Sequence, residues 1–289
     1  MIKYNPKSWV ALIFALNKSD TLRILWKELI YMAVFTAAIA YLAIHHFKPK
    51  IDLTELKTAY SLIGFVISLL LVFRTNTAYD RWWEGRKQWG ALVNDCRNLA
   101  IKIRSFGKTE EDRLFFTRMI SNFPLALKEH LRNSKELEIL ELTAEERKIL
   151  EEKEHVPLEI SAMLSDRVKK LKDEATVSQE EALILDRNLN ALMDVCGACE
   201  RIKNTPIPFS YSLFLKKFIF VYVITLPLAF VTTFGYYSVL IACFFFYVLV
   251  SMEVLAEEIE DPFGKDDNDL PTDELAEKIK KSVGEVLLR

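Results

Sequence analysis

From Phe218 to Met252 the chain runs 35 residues without an Asp, Glu, Lys or Arg. As one helix this run would measure about 52 Å, far beyond a hydrocarbon core of about 30 Å. It therefore predicts two helices, split near "TTFGYYS" (Thr232 to Ser238), with Gly235 as the bend and Tyr236 and Tyr237 at an interface. Two shorter uncharged runs come earlier, Ile30 to Phe47 and Thr58 to Phe73. Together the runs predict an all-α, polytopic membrane protein with four transmembrane helices. The chain is still 27% charged, so the missing charges crowd into its middle and its tail. With 51% hydrophobic residues and only 8 Gly and 9 Pro in 289, disordered and fibrous classes are excluded. A net charge of −2 gives no reason to expect nucleic acid.

The organisation follows from this segregation. Residues 1–73 hold an N-terminal segment and two spans, and 74–217 form a large cytoplasmic helical region. Residues 218–256 hold the third and fourth spans, and 257–289 an acidic loop and a last helix, all in one continuous structural unit. Lys3, Lys7, Lys18, Arg23 and Lys27 precede the first span and favour a cytoplasmic N-terminus. Lys48, Lys50 and Lys57 on the following loop oppose that bias. Four spans return the C-terminus to the cytoplasm, and no cleavable signal is apparent. The expected location is the inner cell membrane.

The central region reads as helical, with Leu183, Leu185, Leu189, Leu192 and Met193 at three- and four-residue spacing. Thr143 stands three residues before Glu146, a capping-box spacing. Pro157 marks a connection, and "TPIPF" (Thr205 to Phe209) breaks the helices before the third span. Cys196 and Cys199 form a CxxC without a second pair or a βαβ context, so they read as small packing residues. Cys96 and Cys243 read as reduced, and His45 and His46 as interfacial. No Ser/His/Asp grouping, phosphate-cradling glycine loop or HExxH is present, so nothing supports an enzyme.

Two stretches carry more. "FRTNTAYDRWWEGRKQWGALVNDCRNLA" (Phe73 to Ala100) and "EEIEDPFGKDDNDLPTDEL" (Glu257 to Leu275) resemble the bestrophin family in its bacterial branch. "HVPLEISAML" (His155 to Leu164) and "CERIKNTPIPFSY" (Cys199 to Tyr211) support the resemblance, which spans nearly the whole chain. It implies a homopentameric ion channel with one central pore, whose partners are copies of itself, small monovalent ions and membrane lipid. Animal members are calcium-activated chloride channels, while a bacterial member is cation-selective.

The resemblance also assigns residues. Phe65, Leu69 and Phe73 recur at spacing four on one helix face, and the family places that face on the pore axis as a hydrophobic neck. Five copies would make three apolar rings able to gate by dewetting. From spacing alone the same residues could face lipid. Ser61, Gly64 and Ser68 on another face permit close helix packing. Trp82 and Trp83 are expected beneath the membrane, with Asp80, Arg81, Glu84 and Arg86 paired among themselves or with a neighbour.

In animal members the acidic loop holds calcium through two Asp side chains, matching Asp266 and Asp269, and carbonyls matching Glu258 and Asp261. Lys265 and Asn268 stand here where acidic residues are usual, which weakens cation attraction. The alternative is a solvated turn that starts the last helix, with Thr272 as its cap and Asp273 and Glu274 on the positive dipole end. No cofactor is required, and calcium is the one metal ion that the resemblance implies.

Ungapped alignment on Cys196-Gly197 and Pro208 puts Glu180, with Glu181 beside it, where the family has its apolar cytoplasmic aperture. A ring of Glu180 carboxylates would favour cations; equally, Glu180 could be a first-turn carboxylate on a helix capped by Ser178. Two other classes stay open, a secondary transporter and a membrane-anchored helical scaffold. Uncharged spans without inverted repeats count against the first. The Phe65, Leu69 and Phe73 face counts against the second.

Overall fold

The computed structural model describes residues 21–47, 54–106 and 109–288. Lys3, Lys7, Lys18, Lys48 and Lys50, which bear on topology, lie outside the described residues. Among those described there is no strand, and the helices are α1 (Thr21–Leu42, continued by a π-turn, Ala43–Phe47), α2 (Thr54–Phe106), α3 (Glu110–Leu131), α4 (Ala144–Glu151), α5 (Val156–Asp173), α6 (Gln179–Asn204), α7 (Phe209–Phe234), α8 (Ser238–Glu260) and α9 (Thr272–Leu287). Among the described residues, three continuous helical stretches are long and apolar enough to cross a membrane, Thr21–His46, Leu56–Phe106 and Phe209–Glu260. The third bends at Gly235, whose φ of +51° suits a residue without a Cβ, and a short 3-10 turn, Gly235–Tyr237, leads into α8.

The chain divides into two compact units. The first contains α1, α2 as far as Arg81, α7 and α8. Its core joins Met32, Ile67, Leu71, Ile219, Tyr222 and Leu226. Lipid supplies no hydrophobic driving force between apolar helices, so close approach and dispersion must hold them together. Gly64 is one such approach: a Cβ there would stand 2.7 Å from the Tyr222 hydroxyl. Ser61 and Ser68 are exposed instead, and Ser68 Oγ donates back to the Gly64 carbonyl at 2.8 Å. Of the three small residues expected to pack, Gly64 alone is at a helix contact within the chain.

The second unit contains the remainder of α2, helices α3 to α6, and α9. Trp89, Leu92, Phe116, Phe123, Leu192 and Ile279 are fully buried in its core. Helix α9 shows why it folds there: Leu275, Ala276, Ile279, Val283 and Leu287 recur on one face and are all buried. Each large aliphatic side chain contributes about 2 kcal/mol on burial. Local signals set the ends. Thr143 and Glu146 form a reciprocal capping box at the start of α4, and Pro157 lies in the first turn of α5. Ser178 and Glu181 do the same at the start of α6. Helix α9 departs from expectation by one residue. Thr272 is its first helical residue, buried, with Pro271 at the cap position. The Thr272 hydroxyl is already taken, accepting from Arg132 Nη2 at 3.2 Å.

Candidate functional site

Helix α2 continues unbroken past the end of the apolar run, so the residues of "FRTNTAYDRWWEG" lie on the same helix as the run itself. At about 100° per residue, Ile67, Leu71, Arg74 and Ala78 share one side of this helix. All four are buried. Phe65, Leu69 and Phe73 lie on the opposite side and are 68%, 45% and 55% exposed. The same stripe continues through Asn76 and Asp80, which are exposed and polar. The structure therefore presents these three apolar side chains away from the helices that α2 packs against.

Arg74 answers why charge follows so directly on an apolar run. It is 1% exposed, and its Nη2 donates to Glu260 Oε2 at 2.6 Å, while its Nε lies 3.6 Å from Glu253 Oε2. The other oxygen of Glu260 accepts from the Ile207 amide at 2.8 Å, and its backbone carbonyl accepts from Arg81 Nε at 3.1 Å. One acidic residue thus ties α2, the approach to α7 and the end of α8. Glu253, the first charge after the long apolar run, is itself 4% exposed. Glu84 pairs locally, accepting from Gln88 at 3.1 Å and lying 3.9 Å from Lys87. Trp82 packs against the core of the second unit, while Trp83 stays largely exposed.

In the acidic loop, Asp266 is exposed and Asp269 is buried. The Glu258 carboxylate accepts from Asn268 Nδ2 at 2.7 Å, so the residue that replaces an acid serves here as a donor to one. Gly264 allows a tight fold-back, since a Cβ there would stand 2.7 Å from Asp269 Oδ2. The Phe263 and Gly264 carbonyls both accept from Arg132 Nε at 3.2 Å. Asp273 in the first turn of α9 is ion-paired with Lys128 at 2.7 Å and Arg132 at 3.2 Å. Fixed cationic side chains therefore already occupy part of this loop.

Glu180 is exposed in the first turn of α6, where Ser178 caps the helix. Glu181 is committed to that cap, its Oε2 accepting from the Ser178 amide at 2.8 Å. One turn on, Leu183 and Ile184 are also exposed apolar neighbours of Glu180, although Leu183 belongs to the three- and four-residue spacing that marks the helix. Cys196 and Cys199 are buried, and burial foremost pushes both thiols up to about 12, with Glu200 adding to the effect. Thiols held that high are not nucleophiles near neutrality. Sequence reasoning missed a cluster on three helices: His130, His155 and Glu200 bring their ligand atoms within 4.8 Å of one another. No spacing rule could have found it, because the residues are 25 and 45 positions apart in the chain.

A family model for bacterial and fungal bestrophin proteins matches residues 1–285. The chain belongs to the bestrophin family. A Nostoc protein named a voltage-dependent anion channel-forming protein is 33% identical to this bestrophin over 288 residues, covering 97% of this chain and 92% of that one. A Synechocystis protein of the same name is 31% identical over 292 residues, covering 98% and 93%. Among solved structures, a variant of a bacterial bestrophin homolog from Klebsiella pneumoniae superposes with a TM-score of 0.82 at 27% identity, covering 92% of this chain and 99% of that one. A crystal structure described as that of a membrane protein gives 0.84, also at 27% identity and with the same coverage. This bestrophin is a membrane protein with an all-α fold.

Proposed function

We propose that this bestrophin is the subunit of a homopentameric channel that conducts small monovalent ions. It crosses the inner cell membrane four times, through α1, the first part of α2, α7 and α8, with both termini in the cytoplasm. The observation that carries the reading is the exposed Phe65, Leu69 and Phe73 stripe, opposite the packed side of α2 and followed by Asn76 and Asp80. A stripe that is apolar within the membrane and polar beyond it fits a pore wall leaving the bilayer. Five copies form the neck, where apolar rings gate by dewetting. The names of the relatives, as channel-forming proteins, point the same way. Planar-bilayer recording of the purified protein is the test: unitary currents are expected, whereas slow saturable flux would indicate a transporter and no flux a scaffold.

Apolar rings repel both ion charges, so selectivity must come from charged side chains or oriented dipoles elsewhere. We infer cation preference from Glu180, an exposed carboxylate at the proposed cytoplasmic aperture. The relatives' names favour the second reading, anions. Reversal potentials in a KCl gradient separate them. A shift toward the potassium equilibrium potential, reduced by Glu180→Gln, is expected. A shift toward the chloride potential overturns the cation reading, and an unmoved Glu180→Gln value removes Glu180 from the filter.

The acidic loop is inferred to be a structural turn into α9 rather than a calcium switch. Lys265 and Asn268 dilute its charge, and Arg132 holds two of its carbonyls. Hard oxygen ligands such as Asp266, Asp269 and the Glu258 and Asp261 carbonyls would be needed to hold calcium. Channel currents should therefore change less than about twofold when micromolar Ca²⁺ replaces chelator. A large, reversible activation abolished by Asp266→Ala would show that the loop is a calcium sensor after all.

A further inference from the structure

We propose that His130, His155 and Glu200 form a binding site for a divalent transition metal, Zn²⁺ by preference, in the second unit. His130 lies in the last turn of α3, His155 is the N-cap of α5, and Glu200 lies near the end of α6. Both histidines aim Nε2 at one oxygen, Glu200 Oε1, at 2.6 and 2.9 Å, and the two rings stack with centroids 4.3 Å apart. Two imidazole nitrogens and a carboxylate oxygen are a donor set that zinc takes with water as fourth ligand. Bond lengths of about 2.0 Å would put ligand atoms about 3.3 Å apart in a tetrahedral site. The two histidine–glutamate distances need to open by less than about 1 Å to reach that, and the imidazole nitrogens lie within 4.8 Å of each other.

The surroundings suit a cation. All three side chains are half-buried, and a cleft beside His130 is lined by Glu129, Glu136 and Glu154 together with Lys135. Lys203 donates its ammonium to the His130 carbonyl at 3.4 Å and to Asn133 Oδ1 at 2.6 Å. His155 fixes the proton bookkeeping. Its Nδ1 accepts from the Leu158 amide at 3.1 Å, so in the neutral ring the proton sits on Nε2 and is donated to Glu200. On metal binding, Nε2 gives its lone pair to the ion and the ring proton moves to Nδ1. The Leu158 amide then loses its cap, and the ring stays neutral throughout. One cap hydrogen bond is exchanged for a bond to the metal, and the ion fastens α3, α5 and α6 together.

The test uses full-length, tag-free protein in detergent, stripped with chelator and then titrated with Zn²⁺, with Co²⁺ as a visible-absorption probe. Binding of one equivalent per chain at micromolar or lower concentration is expected, with cobalt bands of tetrahedral intensity. His130→Ala, Glu200→Gln and His155→Asn should each weaken binding by at least about tenfold. His155→Asn keeps a good N-cap while deleting the ligand, so it carries the test even if another variant misfolds. Absence of saturable binding to the wild type would leave only a hydrogen-bonded cluster and overturn the site. Saturable binding unchanged in folded His155→Asn protein would place the metal elsewhere and overturn it equally.

Discussion

Replacing Phe65, Leu69 and Phe73 together with alanine should raise ion current by more than about tenfold, equivalent to lowering the barrier by about 1.4 kcal/mol. The expectation follows from two properties of the same stripe. Dewetting of a constriction depends on its width and apolar lining, and alanine makes all three proposed rings wider and less apolar. The side chains are also well exposed in the chain, on the side of α2 away from Ile67 and Leu71. Truncating them opens no cavity in the first unit, so the variant should fold and assemble as the wild type does. Bilayer recording with size-exclusion chromatography measures both. Wild-type currents from a correctly assembled triple variant would show that the stripe faces lipid.

The second large effect is on stability. Arg74→Ala would leave Glu253 buried, and Glu260 half-buried, without the guanidinium that lies between them. Removing one partner of a buried ion pair typically costs about 3–5 kcal/mol. For a chain of this size that corresponds to a fall of roughly 10 °C in the unfolding midpoint. A triple variant, Arg74→Met with Glu253→Gln and Glu260→Gln, removes all the charges and should recover most of the loss, because matched neutral packing can replace a buried ion pair. Glutamine at 260 can still accept from the Ile207 amide. Thermal unfolding of the detergent-solubilised protein reads both values. A fall of less than about 2 °C in Arg74→Ala would mean that the cluster is solvated in the assembled protein.

The contrast between these two groups shows what the sequence could tell. Phe65, Leu69 and Phe73 sit on one helix, so spacing alone puts them on one face, and the structure adds that the face is exposed. The capping box at Thr143 and the helix cap at Ser178 were legible for the same reason, since each is contained in four consecutive residues. Nothing local singles out Arg74, because its partners lie 179 and 186 residues further along. It stands one residue beyond the uncharged run Thr58 to Phe73. His130, His155 and Glu200 were invisible likewise: each reads as a routine polar residue on its own helix, and only packing makes them converge. Thr272 was misplaced by one position because Pro271, with its fixed φ, takes the cap and pushes the threonine into the helix. Pro124 and Pro227 lie within α3 and α7, where propensity would have ended those helices and burial of their neighbours overrides it.

The clasp around Arg74 also sets an order of events in biosynthesis. Its carboxylate partner Glu260 follows it by 186 residues. At roughly 5–20 residues per second, Arg74 waits about 10–40 s after leaving the ribosome before that partner exists. Throughout that interval a guanidinium at the end of an apolar helix must be solvated by water or lipid headgroups, which in the proposed topology holds the newly inserted segment at the membrane boundary. Docking of α7 and α8 then replaces that solvation with Glu253 and Glu260. In the proposed four-span topology the first unit therefore closes only after nearly all of the chain has been made, and its early helices wait in the membrane as an open, half-finished bundle until then.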